Sequence, residues 1–302
     1  MKIVSLLPSA TELAGELGVA DMLCAISHEC DTPPSVLHLP RATGSIIPGG
    51  LSQGEINARV AEARAAGEAL YTVDGVLIDA LSPDLILTQG LCDVCAVTPD
   101  TIEASLRGVQ CSLPRGTRIL SFEGESLEGV RADFFALAEL VGMEAAAEAA
   151  WARRKAQWDA VAPERSSRRV LLLEWVDPPY SPGHWVPEQI AAAGFVSAIG
   201  APGSHSRPLS MREIRESRPD AIGVISCGFG LEANVRFASE LAGRLAAEIG
   251  FAGEVAAFDA NRCFSRPTFA IVDGADVLYR TFHLGEDVPG MSKRLPGVAG
   301  SA

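Results

Sequence analysis

Apolar residues in this chain fall into short continuous runs, and the stretches between those runs carry helix-like patterns. Residues 2–7, 22–27, 85–88 and 118–122 are such runs in the first half; residues 169–174, 195–200, 221–226 and 255–258 are their counterparts in the second. Runs of this length, bounded by Pro, Gly or Ser, read as strands buried on both faces. Helices are predicted over residues 11–17, 52–66 and 73–81, and again over 186–193 and 211–217. The first is stopped by Gly18, with Ser9 or Thr11 as its cap and Glu12 at capping-box spacing from Ser9. Residues 127–160 hold strong helix formers, no Pro, and Gly only at 129 and 142, so they predict one long connecting helix.

The two halves share a plan. Leu81-Ser82-Pro83-Asp84-Leu85-Ile86 matches Ser217-Arg218-Pro219-Asp220-Ala221-Ile222, with Pro-Asp separating a helix from an apolar strand in both. Proline ends the helix because it lacks an N–H and restricts the residue before it. Strands alternating with helices imply mainly parallel sheets covered on both faces. The predicted fold is therefore α/β, with two similar lobes joined by a long helix and a cleft between them. The expected limits are 1–124 for the first lobe, 125–166 for the connector and 167–302 for the second. In open α/β sheets ligands bind beyond the carboxyl ends of the strands, and every unusual loop in this chain follows a strand.

Composition narrows the class. Of 302 residues, 48% are hydrophobic and 21% charged, which suits a protein with a real core. A net charge of −13 without any basic stripe argues against a nucleic-acid partner. No apolar run approaches the roughly 20 residues of a membrane helix. The start of the chain lacks the pattern of an export signal, and seven cysteines are an odd, scattered set, so a cytoplasmic protein with reduced thiols is expected. The Gly/Pro/Ser-rich stretch after Gly285 is expected to fray.

The opening Ile3-Val4-Ser5-Leu6-Leu7-Pro8-Ser9-Ala10-Thr11-Glu12 resembles that of the cobalamin- and siderophore-type (class III) substrate-binding proteins of ABC importers. The likeness covers nearly the whole chain, including the Pro-Asp strand entries. It implies two α/β lobes joined by a long helix, a cofactor-sized ligand, and a membrane permease as partner, for which no residues are assigned. His28-Glu29-Cys30-Asp31, Leu91-Cys92-Asp93-Val94-Cys95, Glu174-Trp175, Gly183-His184-Trp185-Val186-Pro187-Glu188, Cys227-Gly228-Phe229 and Phe264-Ser265-Arg266-Pro267 resemble a cytosolic cobalamin-binding-like subgroup. These thiol-rich loops and the missing export signal depart from the importer pattern and stand against a transport role.

The candidate ligand-binding residues are Ser9, His28, Glu29, Cys30, Trp175, His184, Trp185, Phe229, Ser265 and Arg266. Tryptophan and histidine in strand-end loops suit a flat conjugated ligand, because an aromatic face stacks while its polar edge bonds; a Trp filling the lobe core is the alternative. Arg266 is a candidate clamp for a carboxylate or phosphate, against a structural ion pair. Glu188 is a candidate acid or base, against a carboxylate favoured in a helix first turn. Cys92, Cys95 and Cys227 are candidate ligands for a soft transition metal, completed by His28 or Cys30; packed thiols are the alternative. The leading expectation is binding of cobalamin, another corrinoid or a similar planar ligand without turnover. The alternatives are a cytosolic enzyme using Cys or His, metal-bound or not, with a Glu in the same cleft, and an intracellular metal chaperone.

Overall fold

A computed structural model describes residues 1–89 and 116–296. The chain divides into two compact units, one of Met1–Gly124 with Glu128–Ala152, the other of Glu125–Leu127 with Arg153–Ala302. Each is built on a mainly parallel sheet, as the continuous apolar runs require.

In the first unit β1 (Ile3–Ser5), β2 (Leu23–Ala25), β5 (Leu85–Gln89) and β6 (Arg118–Phe122) form a parallel sheet in the order β2-β1-β5-β6. Helices α1 (Pro8–Leu17), α2 (Gln53–Ala66) and α3 (Gly75–Leu81) lie between strands, and β3 (Thr43–Ser45) pairs antiparallel with β4 (Tyr71–Val73). Val4, Leu6, Ala25, Ala42, Ile78 and Ile86 form a buried core cluster of this unit. Two helices follow β6, α4 (Leu127–Val141) and α5 (Glu144–Asp159).

In the second unit β7 (Arg169–Leu173), β10 (Val196–Ser197), β11 (Ala221–Val224), β12 (Glu254–Phe258) and β13 (Ser292–Arg294) run in the order β10-β7-β11-β12-β13. All pairs are parallel except β12 with β13. A small antiparallel pair, β8 (Trp175–Val176) with β9 (Pro179–Tyr180), sits in the loop after β7. The helices are α6 (Val186–Ala192), α7 (Met211–Glu216), α8 (Leu231–Ile249), α9 (Ala260–Cys263) and α10 (Ala270–Phe282). Leu171, Leu173, Ile222 and Val224 from the central strands pack with Leu241 and Leu245 of α8.

The Pro-Asp repeat has one structural meaning in both units. Asp84 Oδ2 accepts the Lys2 N–H at 2.7 Å, and Asp220 Oδ2 accepts the Arg169 N–H at 2.7 Å. The Asp84 N–H donates to Lys2 O at 2.9 Å, and the Asp220 N–H to Arg169 O at 2.8 Å. The carbonyl of each aspartate then accepts from the first residue of the next strand, Arg118 at 3.0 Å and Glu254 at 3.3 Å. Ser82 and Arg218, at equivalent positions, both adopt a left-handed backbone, with φ of 47° and 46°.

Several sequence expectations need correction. The connector is helical, but in two pieces rather than one. Gly142 breaks it in the left-handed region (φ 72°), and the Met143 N–H closes on Ala138 O, a glycine-terminated helix end. Helix α1 starts at Pro8, not Thr11, and no side chain caps it; Pro at the first helical position needs no partner for the N–H it lacks. The stretch after Gly285 is not frayed throughout, because Ser292–Arg294 adds an antiparallel edge strand and Ser292 bonds Thr281 at 2.7 Å. Helices α8 and α10, which the reading of apolar runs passed over, supply much of the second unit's cover.

At the turn after β6, Asp133 accepts the N–H groups of Gly124 (2.8 Å) and Glu123 (3.0 Å). A Cβ on Gly124 would lie 2.7 Å from the Val130 nitrogen, so only glycine fits this close approach. Burial raises the Asp133 carboxyl to about 6, against the lowering effect of those bonds and with Glu123 adding repulsion.

Two outcomes follow from these contacts. Asp220→Ala strips the Arg169 N–H of its acceptor and should cost about 1–2 kcal/mol, with Asp220→Asn costing less because an acceptor oxygen remains. Chemical denaturation of the three proteins checks this, and equal midpoints would remove the staple's role. For Asp133 the folded-state pKa lies above the unfolded one, so the folded chain holds an extra proton between them. Its carboxylate is a cost at neutral pH that is relieved as pH falls from about 6 toward 3.8. Carboxyl-carbon NMR should place its titration near the upper value, and a midpoint in the ordinary aspartate range would refute it.

Candidate functional site

The sheet topology of each unit sets where a ligand can be held. In the second unit the chain runs from β7 to β10 on one side and then crosses to β11 on the other, so the connections diverge between β7 and β11. Such a switch point leaves a crevice beyond the carboxyl ends of those strands. The loops reaching it are residues 174–185, 225–230 and 259–269, which follow β7, β11 and β12.

Within these loops Trp175 and Phe229 form a tilted aromatic pair, with ring centroids 5.8 Å apart, and both are half-buried. Phe237 also meets Phe229, edge-on at 5.0 Å. The Trp175 indole N–H donates to Asp177 O at 3.1 Å, which fixes the ring at the start of the β8–β9 hairpin. Glu174 accepts the Gly183 N–H at 2.8 Å and so closes the loop that the hairpin begins. Ser265 and Arg266 follow α9 and are half-buried; the Ser265 hydroxyl oxygen is buried and unpartnered. Cys227 is exposed in the loop after β11.

His184 is the most constrained of these residues. Its backbone is left-handed at φ 51°, a region that costs a non-glycine residue of order 1–3 kcal/mol. Two backbone bonds impose it: the His184 N–H donates to Ser204 O at 2.7 Å, and the Gly203 N–H donates to His184 O at 2.9 Å. A Cβ on Gly183 would lie 2.5 Å from the Ser206 nitrogen, so the two segments approach this closely only because residue 183 is glycine. Further along, Ser181 and Arg207 are joined by Ser181 N–H to Arg207 O at 2.8 Å and Arg207 N–H to Ser181 Oγ at 3.1 Å. The His184 and His205 rings meet edge-on at 5.3 Å, and Glu125 Oε1 lies 3.9 Å from His184 Nδ1. That Nδ1 is buried without a hydrogen-bond partner. Burial lowers the His184 pKa most; Glu125 opposes the shift and His205 adds to it. The imidazole is therefore held neutral through a wider pH range than an ordinary histidine.

Other predicted residues do different work. Trp185 is 5% exposed and its indole N–H donates to Phe264 O at 3.0 Å, so it anchors the loop in the core rather than offering a face to a ligand. Glu188 sits in the first turn of α6 and accepts the Leu127 N–H, at the start of α4, at 2.9 Å.

In the first unit His28, Glu29 and Cys30 follow β2. His28 Nδ1 lies 2.7 Å from Thr43 Oγ1, and its backbone N–H donates to the same oxygen at 3.0 Å. Thr43 donates its single proton to Ser27 Oγ at 3.0 Å, so His28 Nδ1 carries a proton and Nε2 faces Glu29 Oε1 at 3.9 Å. Glu29 is exposed, whereas Cys30 is buried against Thr11 Oγ1 at 3.2 Å. Arg41 pins this turn by donating to Ser27 O and Cys30 O. Ser9 is 3% exposed in the first turn of α1. Cys92 and Cys95 lie outside the described residues. Among the described residues, the grouping of ligand-capable side chains close enough to share an ion is Glu125, His184 and His205, which holds no cysteine. Glu125 and His205 were not singled out from the sequence. Polar residues in loops give no signal by themselves, and the pairing of residues 203–207 with 181–184 is a tertiary fact.

Each unit is thus a mainly parallel α/β sheet with its candidate residues in loops at the carboxyl edges of the strands. The fold is that of the periplasmic binding proteins of class III ABC importers, the group that the opening motif resembles. The chain is similar to the periplasmic vitamin B12 binding protein BtuF of Vibrio cholerae (TM-score 0.60, 20% identity, covering 94% of this chain and 96% of that one). It is also similar to the periplasmic heme binding protein HutB of Vibrio cholerae (TM-score 0.64, 19% identity, 94% and 99%). A third likeness is to the periplasmic heme-binding protein RhuT from Roseiflexus sp. RS-1 (TM-score 0.63, 21% identity, 93% and 97%). No protein-family model matches the chain, and no curated protein matches it in sequence. No helix among the described residues is long and apolar enough to cross a membrane.

Truncating the anchor should unsettle the whole loop. Trp185→Ala is expected to lower stability by about 3–5 kcal/mol, as for other buried large-to-small changes. Trp185→Phe keeps most of the volume but leaves Phe264 O without its donor, so it should fall between wild type and Ala. A calorimetric melt of the three proteins checks the order, and a Trp185→Ala protein as stable as wild type would contradict the placement.

Proposed function

We propose that the protein reversibly binds a planar tetrapyrrole-type ligand, a corrinoid before a haem, on its carboxyl-edge loops and without turnover. The observation that carries this reading is the Trp175–Phe229 pair beside the switch point of the second sheet, a pair of half-buried rings in loops rather than in the core. Stacked aromatic faces bind a flat conjugated ring with little demand on its edge chemistry. The buried, unpartnered Ser265 hydroxyl and His184 nitrogen suit the amide side chains that surround a corrin ring. The similar structures of a vitamin B12 binding protein and a heme binding protein support a ligand of this size and shape. Arg266 would favour the carboxylates of a haem, so haem is the competing ligand to test. Work in a reducing, cytoplasmic compartment belongs to the same proposal, supported by the exposed Cys227 thiol.

Titration of the full chain with hydroxocobalamin or cobinamide should quench tryptophan fluorescence saturably. Trp175→Ala should weaken binding by about 1–3 kcal/mol, the range found when a stacking aromatic is removed. Haem bound more tightly than any corrinoid would shift the assignment within the class. Calorimetry showing no binding of either at high micromolar concentration would end it.

A further inference from the structure

We propose that Glu125, His184 and His205 form a site for one divalent first-row transition-metal ion of the zinc type. The inference goes beyond the tetrapyrrole reading and does not depend on it. One ligand atom from each of the three side chains lies within 4.8 Å of the others. Bonds of about 2.0–2.2 Å to nitrogen and oxygen set donor separations near 3.4 Å around a tetrahedral ion, so separations that are all within 4.8 Å close by about 1.4 Å at most. Side-chain rotation supplies that movement, because His205 is exposed and Glu125 half-buried, while His184 stays fixed.

Three features mark the grouping as more than neighbouring polar residues. His184 Nδ1 is buried and has no hydrogen-bond partner, although a ring nitrogen in that position ordinarily finds one. The left-handed backbone that aims it is imposed by the bonds to Ser204 and Gly203, so the residues flanking both histidines are laced together before any ion arrives. Glu125 supplies the negative charge, 3.9 Å from the same nitrogen. Its position in the chain is held on one side by the Asp133 turn at Glu123–Gly124 and on the other by the Leu127–Glu188 bond.

Two imidazoles and one carboxylate suit zinc, iron(II), cobalt(II) or nickel(II). Calcium and magnesium prefer sets made of oxygen alone, and copper(I) prefers sulfur. Three protein ligands leave at least one coordination position for water or another donor.

The test uses the full chain stripped with a chelator, and zinc ion as the probe, with no organic ligand present. Isothermal titration against a competing chelator should give one zinc per chain. His184→Ala and His205→Ala should each lower affinity by tenfold or more, and Glu125→Gln by less. His205 is exposed, so His205→Ala should keep the wild-type melting temperature and separate loss of a ligand from loss of fold. Because Cys92, Cys95 and Cys227 offer an alternative, the titration is repeated on the triple serine variant, where the zinc site should persist. Cobalt(II) should give weak visible bands without the intense near-ultraviolet band of thiolate ligation. Zinc uptake that vanishes in the triple serine variant, or that His205→Ala leaves unchanged, overturns the site. Failure to bind corrinoid or haem is read in a separate titration and does not alter this result.

Discussion

A carboxylate one residue ahead of a strand holds each sheet in register, and the loops inherit their places from it. Asp84 and Asp220 grip the residue before or at the start of the first strand of their unit through both the side chain and the main chain. Their carbonyls then grip the start of the third. Three strands are thus set level at their amino ends by one residue. Levelled strands of fixed length end at a fixed height, so β7, β11 and β12 release their loops at one edge. Parallel neighbours lack the tight hairpins that would otherwise set register. The proline before each aspartate ends the helix, and the left-handed residue before the proline turns the chain into the strand.

That device was legible as sequence because it needs particular residues at particular spacing. Pro83-Asp84 and Pro219-Asp220 stand out in any reading, and the apolar runs beside them locate β1, β5, β6, β7, β11 and β12 within a residue or two. Elements carried by weaker signals were missed. Strand β13 has the sequence Ser-Lys-Arg, and its place in the sheet comes from pairing with β12, not from its own pattern. Gly142 was visible, but whether a glycine is tolerated inside a helix or ends it depends on its φ. The site was less legible than the fold for the same reason. His184 was readable from its Gly-flanked loop, whereas its relation to Glu125 and His205 depends on contacts between distant segments. Trp185 was misjudged because a tryptophan next to a loop histidine reads the same whether it stacks on a ligand or fills a core.

The Gly183-His184-Trp185 stretch shows how anchoring and presentation divide between adjacent residues. Trp185 is buried and bonded to Phe264, which ties the loop after β7 to the loop after β12. Gly183 lets the 203–206 backbone approach, and the resulting bonds hold His184 in a conformation it would not choose alone. A rigid loop here follows from the levelled strands beneath it.

An unpartnered ring nitrogen in such a setting is costly, and a small rotation of the ring toward solvent would relieve it. Trp185 flanks the ring at 5.8 Å, His205 meets it at 5.3 Å, and 18% of the side chain is exposed. Burial also disfavours the charged imidazolium, against the opposing effect of Glu125, so the ring holds one N–H and one lone pair rather than two N–H groups. A neutral imidazole offers one lone pair and one N–H, and metal binding at Nδ1 uses the tautomer with the proton on Nε2. With its proton on Nε2, the ring presents a lone pair at Nδ1 that suits a metal ion or a hydrogen-bond donor such as a ligand amide N–H.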